Sequence, residues 1–442
     1  MRHRIAATTW FFIALVLCTM GFIGKASAVP AFADQTGQPC ASCHVGGFGP
    51  QLTPFGREFK ILGYTARTKD GTIPLSAMAI ASFLHTAADQ PPAPHYAAND
   101  NTTLDQVSLF LAGGLNKNFG GFSQFTYDGV ARAFAWDNLD LRAVDQLTIA
   151  GTDVVAGLSL NNNPAIQDPW NTLSPWGFPY TDSALAPSPG AATVLNGGLA
   201  QSSLGITAYA WWNSEIYAEA GLYATPSRGI MRALGADGGA VIQGSAPYVR
   251  LGYQKDYDDQ NFQFGVTALT SNLYPGGDRT AATTDKFQDF SADASYQYMG
   301  DGSNIYQLNT RFTHEHQSLD ATYALGDSSN SSNTLEEFST DVSYYWRNLI
   351  GLTAGYFSTW GSTDSVLYAG NRTSKPNSAG FILQLDGTPF GETASFGNHV
   401  NLRVGLQYRH FTQFDGAAGN YDSAGSNSSG NDTFRIFMWI AL

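Results

Sequence analysis

Along most of the chain, apolar and polar side chains alternate one by one. Phe290, Ala292, Ala294, Tyr296 and Tyr298 interleave with Asp289, Ser291, Asp293, Ser295 and Gln297. Val400, Leu402, Val404, Leu406 and Tyr408 interleave in the same way with Asn401, Arg403, Gly405, Gln407 and Arg409. A period of two places alternate side chains on opposite faces of an extended strand, so each run predicts a strand with one apolar and one polar face. The pattern begins at residue 74 and predicts about sixteen strands, from 74–86 to 433–442, with 303–324 the longest and 397–412 the last but one. Tight turns are expected at Asn116–Phe119, Asn213–Ser214, Gly300–Gly302 and Arg347–Asn348. Between them lie long loops at 87–102, 163–202, 225–244, 325–333, 361–377 and 413–432.

Two all-β architectures share this alternation. A soluble sandwich or barrel has a wet outside, whereas a transmembrane barrel has a wet inside and turns its apolar faces to lipid. An even strand number with short turns at one end and long loops at the other is the pattern of single-chain outer-membrane barrels. A sandwich has no reason to keep it. The chain also ends on an alternating apolar strand, Phe434 to Leu442. The reading is therefore a transmembrane antiparallel β-barrel of about sixteen strands over 74–442, with both ends of the barrel on the short-turn side.

The head of the chain follows other rules. Residues 1–28 carry Arg2 and Arg4, an apolar run from Trp10 to Ile23, and Ala26-Ser27-Ala28, which together make a secretory signal peptide cleaved after Ala28. Cys18 leaves with it, so the exported chain keeps only Cys40 and Cys43. Residues 29–73 form a compact segment in which Thr53 to Leu62 is expected as a helix with Phe55, Phe59 and Leu62 on one side. A segment this small cannot bury a cofactor and a core unaided, so the barrel must help to enclose it.

Charge narrows the partners. The net charge is −13, and removing residues 1–28, with three basic and no acidic residues, deepens it to −16. An acidic surface argues against nucleic acid and for transient cations. Only 13% of residues are charged, against 13% aromatic and 47 glycines, which agrees with β-structure.

The chemistry is concentrated in Cys40-Ala41-Ser42-Cys43-His44. C-x-x-C-H is the attachment signature of one covalent haem c: the thiols add to the two vinyl groups and the histidine ligates iron. A thioredoxin-like pair needs a βαβ setting that is not found here, zinc needs four ligands, and a plain disulfide leaves His44 unexplained. Export agrees with the motif. For the sixth ligand, Met78 shares a face with Ser76, Ile80 and Ser82, whereas His85 lies on the opposite face. If the serine-bearing face looks inward, Met78 reaches the haem and His85 does not. His95, His314 and His316 read as loop or lumen residues. Loop carboxylates such as Asp182, Asp237, Asp364 and Asp422 suit a passing divalent cation, but no clustered motif makes one a site.

Gln35-Thr36-Gly37, the haem motif, Leu52, Phe55-Gly56-Arg57, Phe59-Lys60 and Gly63-Tyr64-Thr65 resemble the head of the fused outer-membrane cytochrome c–porins of iron-oxidising bacteria. Asp168-Pro169-Trp170-Asn171 and Trp176-Gly177-Phe178-Pro179-Tyr180 add to the likeness. The resemblance is specific in the first forty exported residues and looser in the strands. It implies a barrel in the bacterial outer membrane, in contact with its lipid, whose haem segment faces the periplasm or the lumen. It also implies oxidation of extracellular ferrous iron, or electron transfer with another extracellular donor or acceptor, and a periplasmic cytochrome or other carrier as partner. The competing expectation is a porin-like channel whose haem is structural or regulatory.

Overall fold

The computed structural model describes residues 31–68, 75–236, 238–391 and 400–442. The expected signal peptide and its cleavage point, the boundary at 73/74 and Asp237 lie outside the described residues. Sixteen strands are present among them: β1 Leu75–Thr86, β2 Asn101–Gly114, β3 Phe119–Asp128, β4 Ala133–Ile149, β5 Thr152–Asn161, β6 Leu204–Trp212, β7 Ile216–Ala224, β8 Ala246–Tyr257, β9 Gln260–Leu273, β10 Asp285–Tyr298, β11 Asn304–Ser318, β12 Ser332–Trp346, β13 Ile350–Gly361, β14 Ser378–Gly387, β15 Asn401–Gln413 and β16 Thr433–Ala441. Each pairs antiparallel with the next, and β16 returns to β1 with Ala441 opposite Met78 and Thr433 opposite Thr86. The result is a closed barrel, which leaves no unpaired edge.

The phase of the alternation decides between the two architectures. In β15, Val404, Leu406 and Tyr408 are exposed on the outside while Arg403, Gln407 and Arg409 are buried inside. In β8, Val249, Leu251 and Tyr253 point out beside buried Arg250 and Gln254. A wet interior behind an apolar outer belt is the arrangement that lipid, not water, stabilises. Four arginines of the lumen are paired: Arg250 with Asp293 at 2.8 Å, Arg435 with Asp105 at 2.6 Å, Arg142 with Asp140 at 2.9 Å and Arg403 with Asp386 at 3.2 Å.

The hairpins show why the chain reverses where it does. Asn213 and Ser214, and likewise Arg347 and Asn348, all have φ between 53° and 54°. Two consecutive left-handed residues, closed by Glu215 N to Trp212 O at 3.0 Å and Leu349 N to Trp346 O at 2.9 Å, make a tight turn whose twist suits antiparallel strands. Two connections depart from the strict alternation expected. The link 129–132 is short although it lies at the long-loop end, and 388–400 is long although it lies at the short-turn end.

The strand expected over 303–324 ends at Ser318. Residues Asp320–Leu325 form a helix instead. Asp285 of β10 accepts hydrogen bonds from the backbone N–H groups of Ala321 and Thr322, and from the Thr322 hydroxyl, so a side chain distant in sequence satisfies the orphan donors of that helix start.

Candidate haem site

Three short helices fill the short-turn end of the lumen: α1 Ala31–Thr36, α2 Cys40–Cys43 and α3 Pro54–Ile61. Thr53 caps α3, its hydroxyl accepting from Gly56 N at 3.1 Å and donating to Ser42 O at 2.6 Å. That double role ties the helix to the C-x-x-C-H turn. The His44 N–H closes the turn on Cys40 O at 2.8 Å, and Thr53 N reaches Cys43 O at 3.0 Å. Gly56 is required here: a Cβ on it would lie 2.2 Å from Cys43 O.

The expected apolar side of α3 is only partly right. Phe59 and Ile61 are buried, but Phe55 is 44% exposed, and the charged Arg57 and Lys60 are buried instead. Their reason is the wall. Arg57 donates to Asn261 Oδ1 at 2.6 Å and Gln297 Oε1 at 3.0 Å, on β9 and β10. Around the circumference, Gln35 Oε1 accepts from Gly114 N (2.7 Å), Ile61 O from Tyr209 Oη (2.6 Å), and Gly47 O from Asn401 Nδ2 (2.8 Å). Asn348 Oδ1 accepts from Gly46 N at 2.9 Å. Gly46, at φ 74°, lies so close to the Tyr345 ring that a Cβ would sit 2.4 Å from it. Cations of the wall also stack on plug aromatics, Arg142 over Tyr64 at 5.6 Å and Arg403 over Phe48 at 5.9 Å. The head of the chain is thus a plug docked on many strands.

The connection 162–203, here L3, folds into the lumen above the plug. Asp168 pairs with Arg250 at 3.2 Å, and Trp170 Nε1 donates to Gln254 Oε1 at 3.1 Å. Lys60 Nζ donates to Asp168 O at 2.7 Å and Asn171 Oδ1 at 2.9 Å, joining plug to L3. Burial, reinforced by Arg142, lowers this ammonium to about 7.

Between plug, L3 and wall lies a mostly apolar cavity of about 300 Å³. This is at the lower end of the range for small-molecule and cofactor sites, roughly 300–1,000 Å³. Cys40, Cys43, His44 and Met78 all line it, with Trp176 of L3 and Trp439 of β16. The four residues singled out in the sequence therefore share one space. Both thiols are free rather than joined as a disulfide. Burial, aided by the neighbouring Cys40, raises Cys43 to about 12. Burial, aided by Arg403, lowers His44 to about 4, so its imidazole is neutral and able to donate a lone pair to a metal. Its Nδ1 is buried without a hydrogen-bond partner.

The serine-bearing face of β1 does look inward: Ser76, Ile80 and Ser82 are buried, and Met78 joins them facing the cavity. Met78 Sδ accepts a hydrogen bond from Trp439 Nε1 at 3.3 Å, which positions the thioether. His85 lies on the opposite face, exposed and bonded to Asp100 at 2.7 Å. His95 is an exposed loop residue. His314 is not a lumen residue: it shares the outward phase of β11 with Phe312, and its Nδ1 is 3.1 Å from Glu336.

The loop carboxylates named above are engaged in shaping loops. Asp182 pairs with Arg409 at 2.6 Å. Asp364 accepts bonds from Ser329 and Leu367 backbone N–H groups, and Asp422 from those of Ala424 and Ser426. What the sequence reading missed is the inward aromatic set of Tyr209, Tyr217, Tyr345, Phe437 and Trp439. Its signal was visible, since these rings occupy the polar phase of their strands.

Neither a protein-family model nor a curated protein sequence matches the chain. Among solved structures it is similar to OprB of Pseudomonas putida, at TM-score 0.46 and 11% identity over 83% of this chain and 93% of that one. It is similar to OmpT of Vibrio cholerae at TM-score 0.43 and 9% identity, covering 85% and 99%. An anion-selective porin from Comamonas acidovorans gives TM-score 0.43 and 10% identity over 84% and 98%. These likenesses are of barrel architecture alone.

Proposed function

We propose that this chain is an outer-membrane monohaem cytochrome, exported by residues 1–28, that carries electrons between the cell exterior and a periplasmic carrier. The observation that supports it is the single cavity in which Cys40, Cys43, His44 and Met78 meet. Cys40 and Cys43 would hold the haem covalently, His44 would ligate its iron, and Met78 would supply the sixth ligand. When bound, the haem supplies a one-electron couple. The chain does the rest: the mostly apolar lining from the plug, L3 and the wall lowers the local polarity, which favours the less charged, reduced state. Trp439 holds the Met78 sulfur by its indole N–H.

Short turns of single-chain outer-membrane barrels face the periplasm, and on that rule the cavity would lie on the periplasmic side with L3 between it and the outside. The donor is proposed as ferrous iron because of the resemblance of the plug and L3 to the cytochrome–porins. Stopped-flow mixing of purified protein with ferrous iron at several pH values tests this: reduced-haem absorbance is expected to appear, and failure at every pH would move the reading to another donor.

A passive channel with a structural haem is the second reading. Its support is the closed barrel with a polar lumen. Against it stand the plug and L3, hydrogen-bonded around the lumen wall where a channel needs open water. Bilayer conductance of the purified protein with and without haem separates the two.

A further inference from the structure

The lumen holds a second cavity, of about 390 Å³, between L3 and the β10–β13 wall. Some of its charged groups are already matched. Asp182 pairs with Arg409 at 2.6 Å. Glu337 accepts from Thr193 N at 3.1 Å and Thr193 Oγ1 at 2.8 Å.

Two groups stand apart. Arg311 is 8% exposed, and its buried Nε has no partner. Among the described residues its one hydrogen bond is a long contact of Nη1 with Thr313 Oγ1, at 3.4 Å. Asp293, opposite it on β10, is taken by Arg250 at 2.8 and 3.0 Å. On β12, Asp341 lies two residues from Ser339, which pairs with Arg311, and it accepts from Asn309 Nδ2 at 2.9 Å. Arg311 and Asp341 thus spend their hydrogen bonds on other residues and not on each other. Arg409 Nε, Tyr180 Oη and Asn196 Oδ1 are also buried without partners, so donors and acceptors are both left open.

A buried polar group without a partner costs free energy, which favours a ligand that satisfies donor and acceptor together. Because the open pair carries one charge of each sign, an ion gains at one and loses at the other. A hydroxyl serves both, accepting from the guanidinium and donating to the carboxylate. The body of the ligand is set by rings: Trp176, Phe178 and Tyr180 of L3 and Phe357 of β13 line the same space. Phe178 and Tyr180 meet edge to face at 5.3 Å, and a Cβ on Gly355 would lie 2.8 Å from the Phe178 ring. Rings fixed in this way offer faces and edges to a planar guest. The volume is near the lower end of the range for small-molecule sites, roughly 300–1,000 Å³, and suits a single ring.

We propose that this cavity binds a small uncharged phenol, its ring set among the L3 aromatics and its hydroxyl between Arg311 and Asp341. The inference goes beyond the haem reading and does not rest on it, since neither Arg311 nor Asp341 lines the haem cavity.

The test uses the full haem-loaded protein in detergent with radiolabelled resorcinol as probe, read by equilibrium dialysis against detergent alone. Saturable binding of about one resorcinol per chain is expected, with affinity about tenfold lower in Arg311→Met, the loss typical of one hydrogen bond to a charged group. In the wild-type protein phenol is expected to compete, and 1,3-dimethoxybenzene, which keeps the ring and loses the O–H groups, is not. Benzoate, an ion on the same ring, and glucose, hydroxyls without a ring system to stack, should compete at least about tenfold more weakly than phenol. Equal affinity in wild type and Arg311→Met overturns the proposal. Competition by 1,3-dimethoxybenzene as strong as that of phenol also overturns it, and this result needs no variant to fold. Stronger competition by benzoate or by glucose overturns it in favour of an anion or a sugar. Haem-loaded protein that binds no resorcinol loses this site and keeps the haem reading. Protein that lacks covalent haem yet binds resorcinol through Arg311 keeps this site and loses the haem reading.

Discussion

The barrel wall and the plug obey different grammars. In the wall each side chain's environment follows from its parity, so Leu251 faces out and Arg250 faces in because they are neighbours on β8. In the plug, parity means nothing. Arg57 and Lys60 are buried because Asn261, Gln297, Asp168 and Asn171 are there to receive them, while Phe55 remains exposed. A closed sheet is locally encoded; a docked segment is encoded by its partners. The cavity for chemistry forms where the two meet, with His44 from one and Met78 from the other.

The largest effect is expected from removing both thiols. Cys40→Ala with Cys43→Ala should abolish covalent haem while leaving the barrel closed, because no wall strand depends on the motif. Haem absorbance surviving denaturation and acid extraction reads the first, and heat-sensitive migration with far-ultraviolet dichroism reads the second. Loss of the barrel as well would erase the distinction between wall and plug.

Next comes the wall's parity. Leu251→Arg on the outward face should cost roughly 2–4 kcal/mol of stability in lipid, as measured for cations near a bilayer midplane. The same guanidinium one position earlier, at Arg250, is native. Equilibrium unfolding in phospholipid vesicles measures the cost, and a neutral result would argue that this face does not meet lipid.

Smaller is the plug's anchoring. Arg57→Met removes hydrogen bonds to Asn261 and Gln297 and strands their acceptors, worth about 1–3 kcal/mol. Hydrogen exchange should quicken over 54–61 and not over β8 or β9. Met78→Leu keeps packing and removes the thioether, so the haem spectrum and midpoint potential should change while the protein remains folded. An unchanged spectrum and potential would end its role as ligand. Smallest is Phe55→Ser, expected within about 0.5 kcal/mol because this side chain is exposed.

The sequence carried much of the wall. All sixteen strands stand within a few residues of where the period of two put them, except that β11 stops at Ser318. The helix after it is set by Asp285, thirty-odd positions away, and no local pattern announces such a cap. The inward face of β1 was legible because parity fixes it. L3's insertion was not: Trp170 and Trp176 belong to the family likeness, but nothing local places Gln254 and Phe122 beside them. The aromatics at Tyr345, Phe437 and Trp439 broke the polar phase of their strands, and that break marks where the wall meets the plug.

The account's central claim is that one covalent haem inside the barrel carries charge through the membrane. It is tested most directly by placing the protein in lipid vesicles with ferrous iron outside and an impermeant oxidant, ferric cytochrome c, trapped within. Vesicles with the wild-type chain are predicted to reduce the trapped acceptor, and vesicles with the Cys40→Ala, Cys43→Ala chain are predicted not to. Equal reduction in both would contradict the claim.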